Sequence, residues 1–241
     1  MLTSTLSDLE FAPDYPDLVG RRVLVTGIAG PLGLEVAKIF ADNRARVVLH
    51  APADGPETHT IAEIVARSAL DVRLFCDPLP EIDQMQRFAR SAIQCFGGID
   101  AVINLTEVAG TAEGDTAEDI ESAVSRLLAL PCLVTRIAAN RMRTTLTEGT
   151  ILNVVASQRR TSPRARTMAG IARSALAALT RGEARTWGPH GIRVNAIAPS
   201  SQFTPTVDCL SSIPDVASLA LHLSSARGSS LSGLVFEGWC G

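Results

Sequence analysis

Short apolar runs alternate along this chain with segments whose apolar residues recur at helical spacing, and this alternation restricts the fold more than any other feature. The runs are rich in β-branched residues, as buried strands are. They are RVLV (22–25), RVVL (46–49), VRLF (72–75), DAVIN (100–104), TILNVV (150–155), IRVNAI (192–197) and GLVFE (233–237). The sequence therefore predicts an α/β fold, a doubly wound, seven-stranded parallel sheet with helices on both faces.

The intervening segments have the pattern of helices that pack on a sheet. In the first of them, Leu32, Val36, Ile39 and Phe40 form one apolar stripe. The segments 116–142 and 166–187 are longer and rich in Ala, Leu, Ser and Thr. Their outward faces either pack closely against another subunit or only cover the sheet, and the sequence leaves both interpretations open.

Composition indicates one domain and limits its partners. The 241 residues are 46% hydrophobic and carry a formal net charge of -3, which gives no electrostatic reason to expect nucleic acid or an anionic membrane. Residues 18–241 are predicted to form the domain, and residues 1–17, with acids but no basic residue, an extended arm. No targeting or membrane-spanning pattern is found, so we expect a cytoplasmic protein.

Cysteines and histidines do not form a metal-binding pattern. The five cysteines are scattered, with no C-x-x-C pair and no neighbouring histidines. We expect reduced, mostly buried thiols and no metal site. His50 is interpreted as a polar strand end rather than a titrating switch.

The stretch VLVTGIAGPLG (23–33) has the order of a strand, a glycine turn and a helix start. Gly27 suits a tight turn, and Gly33 allows close packing of the helix on the strand. Gly30 lies between them. Pro31 fits the first helical position, but it has no N–H to donate to a phosphate. The sequence predicts that the turn is kept while its anion site is weakened.

These residues resemble the opening motif T-G-x-x-x-G-x-G of the short-chain dehydrogenase/reductase family. Asp77, in the pair CD, resembles the adenine-binding aspartate of the family, and WGPHGIRVNAIAPS (187–200) is similar to its late-strand signature in β-ketoacyl reductases. The likeness covers about residues 18–240. It implies a Rossmann-type fold, a nicotinamide cofactor, and catalysis of carbonyl/alcohol redox chemistry by Tyr, Lys, Ser and Asn.

The family's four catalytic positions carry other residues in this chain. The chain has a single tyrosine, Tyr15, and a single lysine, Lys38, which cannot form the family's Tyr-x-x-x-Lys pair. Alignment on the motifs puts the Asn, Ser, Tyr and Lys positions at Leu127, Ala156, Ala169 and Arg173. Ser157 would replace the serine only by a one-residue shift. An arginine keeps a cation but does not release a proton near neutral pH.

The cofactor positions are altered as well. Gly27, Gly30, Gly33, Asp77 and Asn104 keep the family's residue types. Glu107 stands where the family has a glycine, and a carboxylate there repels a pyrophosphate. Pro78 lacks the backbone donor that the family offers to adenine. No cofactor is expected, and any NAD(P) binding is expected to be weakened by Pro31, Pro78 and Glu107.

Two further segments differ from the family pattern. The segment from Pro199 to Pro214 is shorter than the family's lid; it contains Thr204, which resembles the family's carboxamide-contacting threonine. The loop before residue 167 concentrates Arg159, Arg160, Arg164 and Arg166. This cluster either docks an anionic group, such as a phosphopantetheine carrier, or is a solvated loop.

Three functions remain open from the sequence. The first is a non-catalytic subunit or scaffold that pairs with an active short-chain dehydrogenase in a homo- or hetero-oligomer. The second is a sensor that binds a nucleotide or another ligand without turning it over. The third is an atypical NAD(P)-dependent oxidoreductase that uses groups such as Ser157 and Glu107.

Overall fold

The structure, a computed structural model, describes residues 14–108, 117–157, 163–198 and 212–237; in 107–108, 117–127, 156–157, 163–166 and 168–169 it describes the backbone alone. Seven parallel strands form one sheet in the order β3-β2-β1-β4-β5-β6-β7. They are β1 (Arg22–Thr26), β2 (Arg46–Ala51), β3 (Asp71–Cys76), β4 (Ala101–Val108), β5 (Gly149–Ser157), β6 (Ile192–Ile197) and β7 (Val235–Phe236). The predicted fold class is confirmed.

Helices follow the strands as crossover connections. Among the described residues they are α1 (Gly30–Asp42), α2 (Pro56–Ala66), α3 (Ile82–Gln94), α4 (Ala117–Thr144), α5 (Pro163–Trp187) and α6 (Ile213–Ser224). No helix in the described part of the chain is long and apolar enough to cross a membrane.

The core consists of two apolar layers, one on each face of the sheet. On one face, α1, α2 and α6 pack against strand residues such as Val25, Leu49 and Ile103. On the other face, α3 and α4 pack against residues such as Leu24 and Val102, and α5 adds a smaller cluster. Strand residues alternate between the layers, which is why parallel strands covered on both faces read as continuous apolar runs.

The edge of the sheet where the strands begin is held by an ion pair. Nε and Nη2 of Arg22 donate to the two carboxylate oxygens of Asp100 at 2.8 and 2.6 Å. Burial raises the pKa of Asp100, but the hydrogen bonds from Arg22 and the charges of Arg22 and Arg21 together outweigh burial and lower the pKa on balance. This pair joins the start of β1 to the residue before β4, far from the edge where a ligand would bind.

The described end of the predicted arm packs on the same side of the molecule. Tyr15 donates its backbone N–H to Asn43 Oδ1 at 3.0 Å, and the Arg227 guanidinium lies 4.4 Å from the centroid of the tyrosine ring. Asp17 Oδ2 accepts from the Ala226 N–H at 2.7 Å. Residues 14–17 therefore contact the domain closely, while residues 1–13 lie outside the described residues.

The ends of some strands and the burial of the cysteines differ in detail from the sequence expectations. Strands β4 and β5 extend to Val108 and Ser157, beyond the predicted ends at 104 and 155, because their ladder continues to the last pair. The cysteines within the described residues, Cys76, Cys95 and Cys132, are free as expected but half-buried rather than buried.

Candidate functional site

The candidate site lies at the edge of the sheet where the parallel strands end, and its centre is the turn between β1 and α1. Gly27 has φ +71°, and a Cβ there would lie 2.2 Å from the carbonyl oxygen of Leu105. A Cβ on Gly33 would lie 2.9 Å from the Cα of Ile28. The roles expected for these two glycines, a tight turn and close helix packing, match this geometry.

The start of α1 is open toward the site. Gly30 has φ +56°, and no atom lies within 4 Å of the Cβ it lacks. No side chain caps the helix at Ala29, so its first donors lack a side-chain acceptor. Pro31 is exposed and is the second residue of α1, one position later than the first helical position that the sequence predicts. It removes one N–H from an end that otherwise suits an anion.

A row of polar side chains crosses the sheet just before this edge. Thr26, Asn104 and Asn153 are register partners on β1, β4 and β5, and all are buried. Asn104 Nδ2 donates to Asn153 Oδ1 at 2.9 Å and to Thr135 Oγ1 at 3.4 Å, and Thr26 Oγ1 donates to Asn104 Oδ1 at 3.2 Å. The Asn104 amide is thus engaged within the protein, and this network fixes the strand ends relative to α4.

The ends of β2 and β3 form the part of the site that would face an adenosine. Asp77 and Pro78 are exposed, as binding to a ligand requires. Ala51 and Pro52, however, offer no side-chain acceptor for a ribose hydroxyl, since neither has a polar side chain. His50 does not point to solvent either, because its ring is buried.

The other predicted positions lie on β4, β5 and α5. The ladder pairs Glu107 with Ala156 and Val108 with Ser157, and strand alternation puts position 107 on the same face as Leu105, which contacts the glycine turn. Positions 169 and 173 lie on α5 four residues apart, hence on one helix face. Arg173 is half-buried.

Tyr15 and Lys38, the only tyrosine and lysine of the chain, lie far from this edge. Tyr15 contacts Asn43 at the end of α1, and a helix of 13 residues is about 20 Å long. Lys38 is on the outside of α1, where Nζ contacts Asp42 Oδ2 at 2.5 Å. The structure keeps both side chains away from positions 169 and 173.

The described residues fit part of a nicotinamide dinucleotide. The open, uncapped turn suits a pyrophosphate, and Asp77 is free to accept from an adenine amine. Ala51 and Pro52 offer no side-chain acceptor to the adjoining ribose. The segments that follow β2 and β3 carry acids, which oppose a 2′-phosphate: Asp54, Glu57, Asp77, Glu81 and Asp83.

Several predicted residues are not tested by the geometry. Arg159, Arg160 and Thr204 lie outside the described residues, and for Leu127, Arg164, Arg166 and Ala169 the structure gives the backbone of the helix but not the side chain. Within the described part of the chain, no group of His, Cys, Asp or Glu residues is arranged to hold a metal ion.

A sheet with this strand order, a glycine turn after β1 and helices on both faces is characteristic of the Rossmann-type, doubly wound α/β proteins. The family model described as enoyl-(acyl carrier protein) reductase matches residues 27–234. The chain belongs to the short-chain dehydrogenase/reductase family, as the motifs predicted.

Its relatives include active dehydrogenases. The chain is 30% identical to galactitol 2-dehydrogenase of Agrobacterium fabrum over 184 residues, which cover 76% of this chain and 70% of that one. It is 29% identical to momilactone A synthase of Oryza sativa over 218 residues, 89% of this chain and 78% of the relative. The structure superposes on hydroxysteroid dehydrogenase of Escherichia coli with TM-score 0.76 at 22% identity, covering 93% and 97% of the two chains. That last likeness concerns the fold alone.

Sequence reasoning missed the buried polar residues that organise this edge. Thr135 and Asn153, which complete the row with Asn104, belong to no motif in the sequence, and the interpretation of His50 as a polar strand end does not anticipate its burial. Polar residues at matching positions near the ends of neighbouring apolar strands were the available signal.

Proposed function

We propose that this chain is a non-catalytic member of the family that acts as a subunit or scaffold beside an active short-chain dehydrogenase. The observation that carries the proposal is the position of its only tyrosine and only lysine. Tyr15 packs against Asn43 and Arg227 at the opposite end of α1 from the site, and Lys38 is on the outer surface of that helix. Neither provides a proton donor at α5.

The residues at the family's catalytic positions support the same proposal. Ala169 has no proton to transfer, and an arginine at 173 stays charged near neutral pH. A positioned acid or base contributes about 10² to 10⁴-fold to a rate. The neighbouring strand position, Ala156, is apolar too, so the loss extends to the group that would hold the substrate oxygen.

The surface of α5 suits a close helix partner. Ser174, Ala178 and Gly182 lie on one exposed face of the helix, and no atom lies within 4 Å of the Cβ that Gly182 lacks. Ile171, 44% exposed, continues this face. Small side chains let another helix approach closely, which favours pairing with a second family member through α5.

Activity measurements with restored residues test the non-catalytic part. We expect wild type to show no oxidation of NADH or NADPH with a panel of ketones and aldehydes. The triple variant Ala156→Ser, Ala169→Tyr, Arg173→Lys should gain activity only if the cofactor still binds. Arg185→Lys is the control, because it introduces a lysine at an exposed position of the same helix. Turnover by wild type that is lost in Glu107→Ala would contradict the proposal and favour the atypical oxidoreductase.

Native mass spectrometry of the protein purified from its own cells tests the subunit part. We expect a mixed assembly with a second chain of the family that does contain Tyr-x-x-x-Lys. The double variant Ala178→Leu, Gly182→Leu should dissociate that assembly without unfolding the chain, because both positions are exposed. A homo-oligomer carrying a stoichiometric dinucleotide would instead exclude the scaffold role.

A nucleotide sensor is the second candidate, and the open start of α1 favours it. Gly30 leaves space beside the turn, and the exposed Asp77 remains available to an adenine. A bound ligand stabilises the folded state by RT ln(1 + [L]/Kd). Thermal denaturation with AMP and NAD⁺ should then show a rise in Tm that is lost in Asp77→Asn, and absence of any rise would count against the sensor.

A further inference from the structure

His50 occupies an unusual position for a polar residue at the end of a strand. Its side chain lies inside the protein, with the residue only 2% exposed. Nε2 is 3.1 Å from the carbonyl oxygen of Asp77. The ring also packs on Phe88 of α3, with 4.3 Å between the ring centroids. The imidazole therefore connects β2 to the segment that carries the adenine-facing aspartate.

The backbone of the same residue holds the glycine turn. The N–H of Ile28, the residue after Gly27, donates to the His50 carbonyl oxygen at 2.9 Å. His50 thus contacts, through one carbonyl and one ring, both segments that a nucleotide would touch. We propose that His50 is the positioning residue of this edge: its neutral ring holds the Asp77 segment at a fixed place relative to the glycine turn, and protonation of the ring releases that segment.

The geometry defines which form of the ring can do this. A carbonyl oxygen only accepts, so Nε2 must carry the hydrogen, and in the neutral ring Nδ1 carries none. Nδ1 is buried and has no hydrogen-bond partner among the described residues. Protonation would place an N–H at Nδ1 without an acceptor and a charge in an apolar surrounding. Both costs are relieved when the ring moves out to water.

The groups around the ring add little charge that would offset this cost. Asp77, at the end of β3, is the charged group that acts on it. The other neighbours are uncharged: Phe75 on β3, Phe88 on α3, and Thr26, its register partner on β1. Burial lowers the pKa of His50, more than the contact with Asp77 raises it. The neutral form is therefore favoured in the folded protein near neutral pH.

The sign of the pH effect follows from this direction. An unfolded histidine has a pKa of about 6.5, so the unfolded or locally opened state takes up a proton before the closed state does. The stabilisation that the hydrogen bond between the His50 ring and the Asp77 carbonyl contributes is complete above about pH 6.5, and it is lost as the pH falls from there through the lower folded pKa. The opening is expected to be local, since the ring contacts the segment after β3 and Phe88 of α3 at one edge of the sheet.

Hydrogen exchange measured by mass spectrometry tests the proposal on the full chain. We compare wild type, His50→Gln, which keeps a donor but does not titrate, and His50→Phe, which keeps the packing on Phe88 but has no donor. After correction for intrinsic rates, wild-type peptides covering 71–82 should exchange about fivefold to tenfold faster at about pH 5.5 than at about pH 7.5. His50→Phe should exchange fast at both pH values, and His50→Gln should lack the pH dependence.

Two controls distinguish local release of the Asp77 segment from a general loss of stability. His190→Gln, at an exposed histidine, should behave as wild type, and peptides from β6 (Ile192–Ile197) should show no change in any variant. If His50→Phe does not fold, ¹⁵N-histidine spectra of wild type decide the matter, because the proposal requires the Nε2–H tautomer. Exchange that is independent of pH in wild type, equal acceleration in β6, or the Nδ1–H tautomer would overturn it. The proposal does not depend on whether the chain is catalytic.

Discussion

Gly27 gives a direct test of whether the fold itself requires the glycine turn after β1. We expect Gly27→Ala to lower the free energy of unfolding by about 2–5 kcal/mol with no nucleotide present. A positive φ costs a non-glycine residue about 1–2 kcal/mol, and Gly27 has φ +71°. The new Cβ would also lie 2.2 Å from the Leu105 carbonyl oxygen, so a backbone segment must shift, at a further cost of about 1–3 kcal/mol.

Gly30→Ala is the matched control for this experiment. Gly30 also has a positive φ, +56°, but nothing lies within 4 Å of its missing Cβ. It should therefore show only the dihedral cost, partly offset because alanine restricts the unfolded chain, for a net loss of about 1 kcal/mol. The difference between the two variants isolates the contact with β4.

Urea unfolding followed by circular dichroism measures both variants. A Gly27→Ala protein as stable as Gly30→Ala, within about 0.5 kcal/mol, would refute the reasoning, since it would mean that β4 yields to the added methyl group. The turn would then be retained for a ligand rather than for the fold.

Three other substitutions test the structure elsewhere. Asp100→Asn should lower the free energy of unfolding by about 1–3 kcal/mol, because it leaves Arg22 without its carboxylate. Since the pKa of Asp100 is lowered in the folded protein, this stabilisation is complete above about pH 4 and is lost as the pH falls through the folded pKa. Urea unfolding between about pH 3 and pH 7 should therefore show a weaker pH dependence of stability for the variant than for wild type. Arg193→Met should destabilise the domain by about 1–3 kcal/mol, as the guanidinium donates to three backbone carbonyls that follow or end α6; a Tm equal to that of wild type would contradict this. Leu146→Gly should raise the stability by about 0.5–1 kcal/mol, since Leu146 is 93% exposed with φ +53°, and any loss of stability in calorimetry would show that its side chain makes a contact.

The fold could be predicted because its signals are local. Each strand is an apolar run bounded by turn residues, and each helix carries one stripe of apolar residues. The spacing of apolar residues is therefore enough to distinguish the strands from the helices. The glycine turn was predicted with its roles, since Gly27 and Gly33 meet requirements of backbone geometry that hold with or without a ligand. The lack of a Tyr-x-x-x-Lys pair also needs no structure, because one tyrosine and one lysine more than 20 residues apart cannot provide it.

The ends of strands and helices are predicted less accurately than their existence, for a physical reason. Strands β4 and β5 continue to Val108 and Ser157 because each supplies the other's hydrogen bonds, a condition that neither segment shows by itself. The state of the cysteines is similar: burial depends on which helix covers a residue, and Cys76 and Cys132 prove half-buried.

The sequence alone indicates a doubly wound α/β domain of the short-chain dehydrogenase/reductase family, and it contains no Tyr-x-x-x-Lys pair. The contacts of the buried polar residues become visible only in the folded chain. Asn104 turns out to belong to a buried row across three strands, and His50 to connect the glycine turn with Asp77. Such contacts join residues 22 to 78 positions apart, and their distances depend on strand order and register, which no local pattern contains.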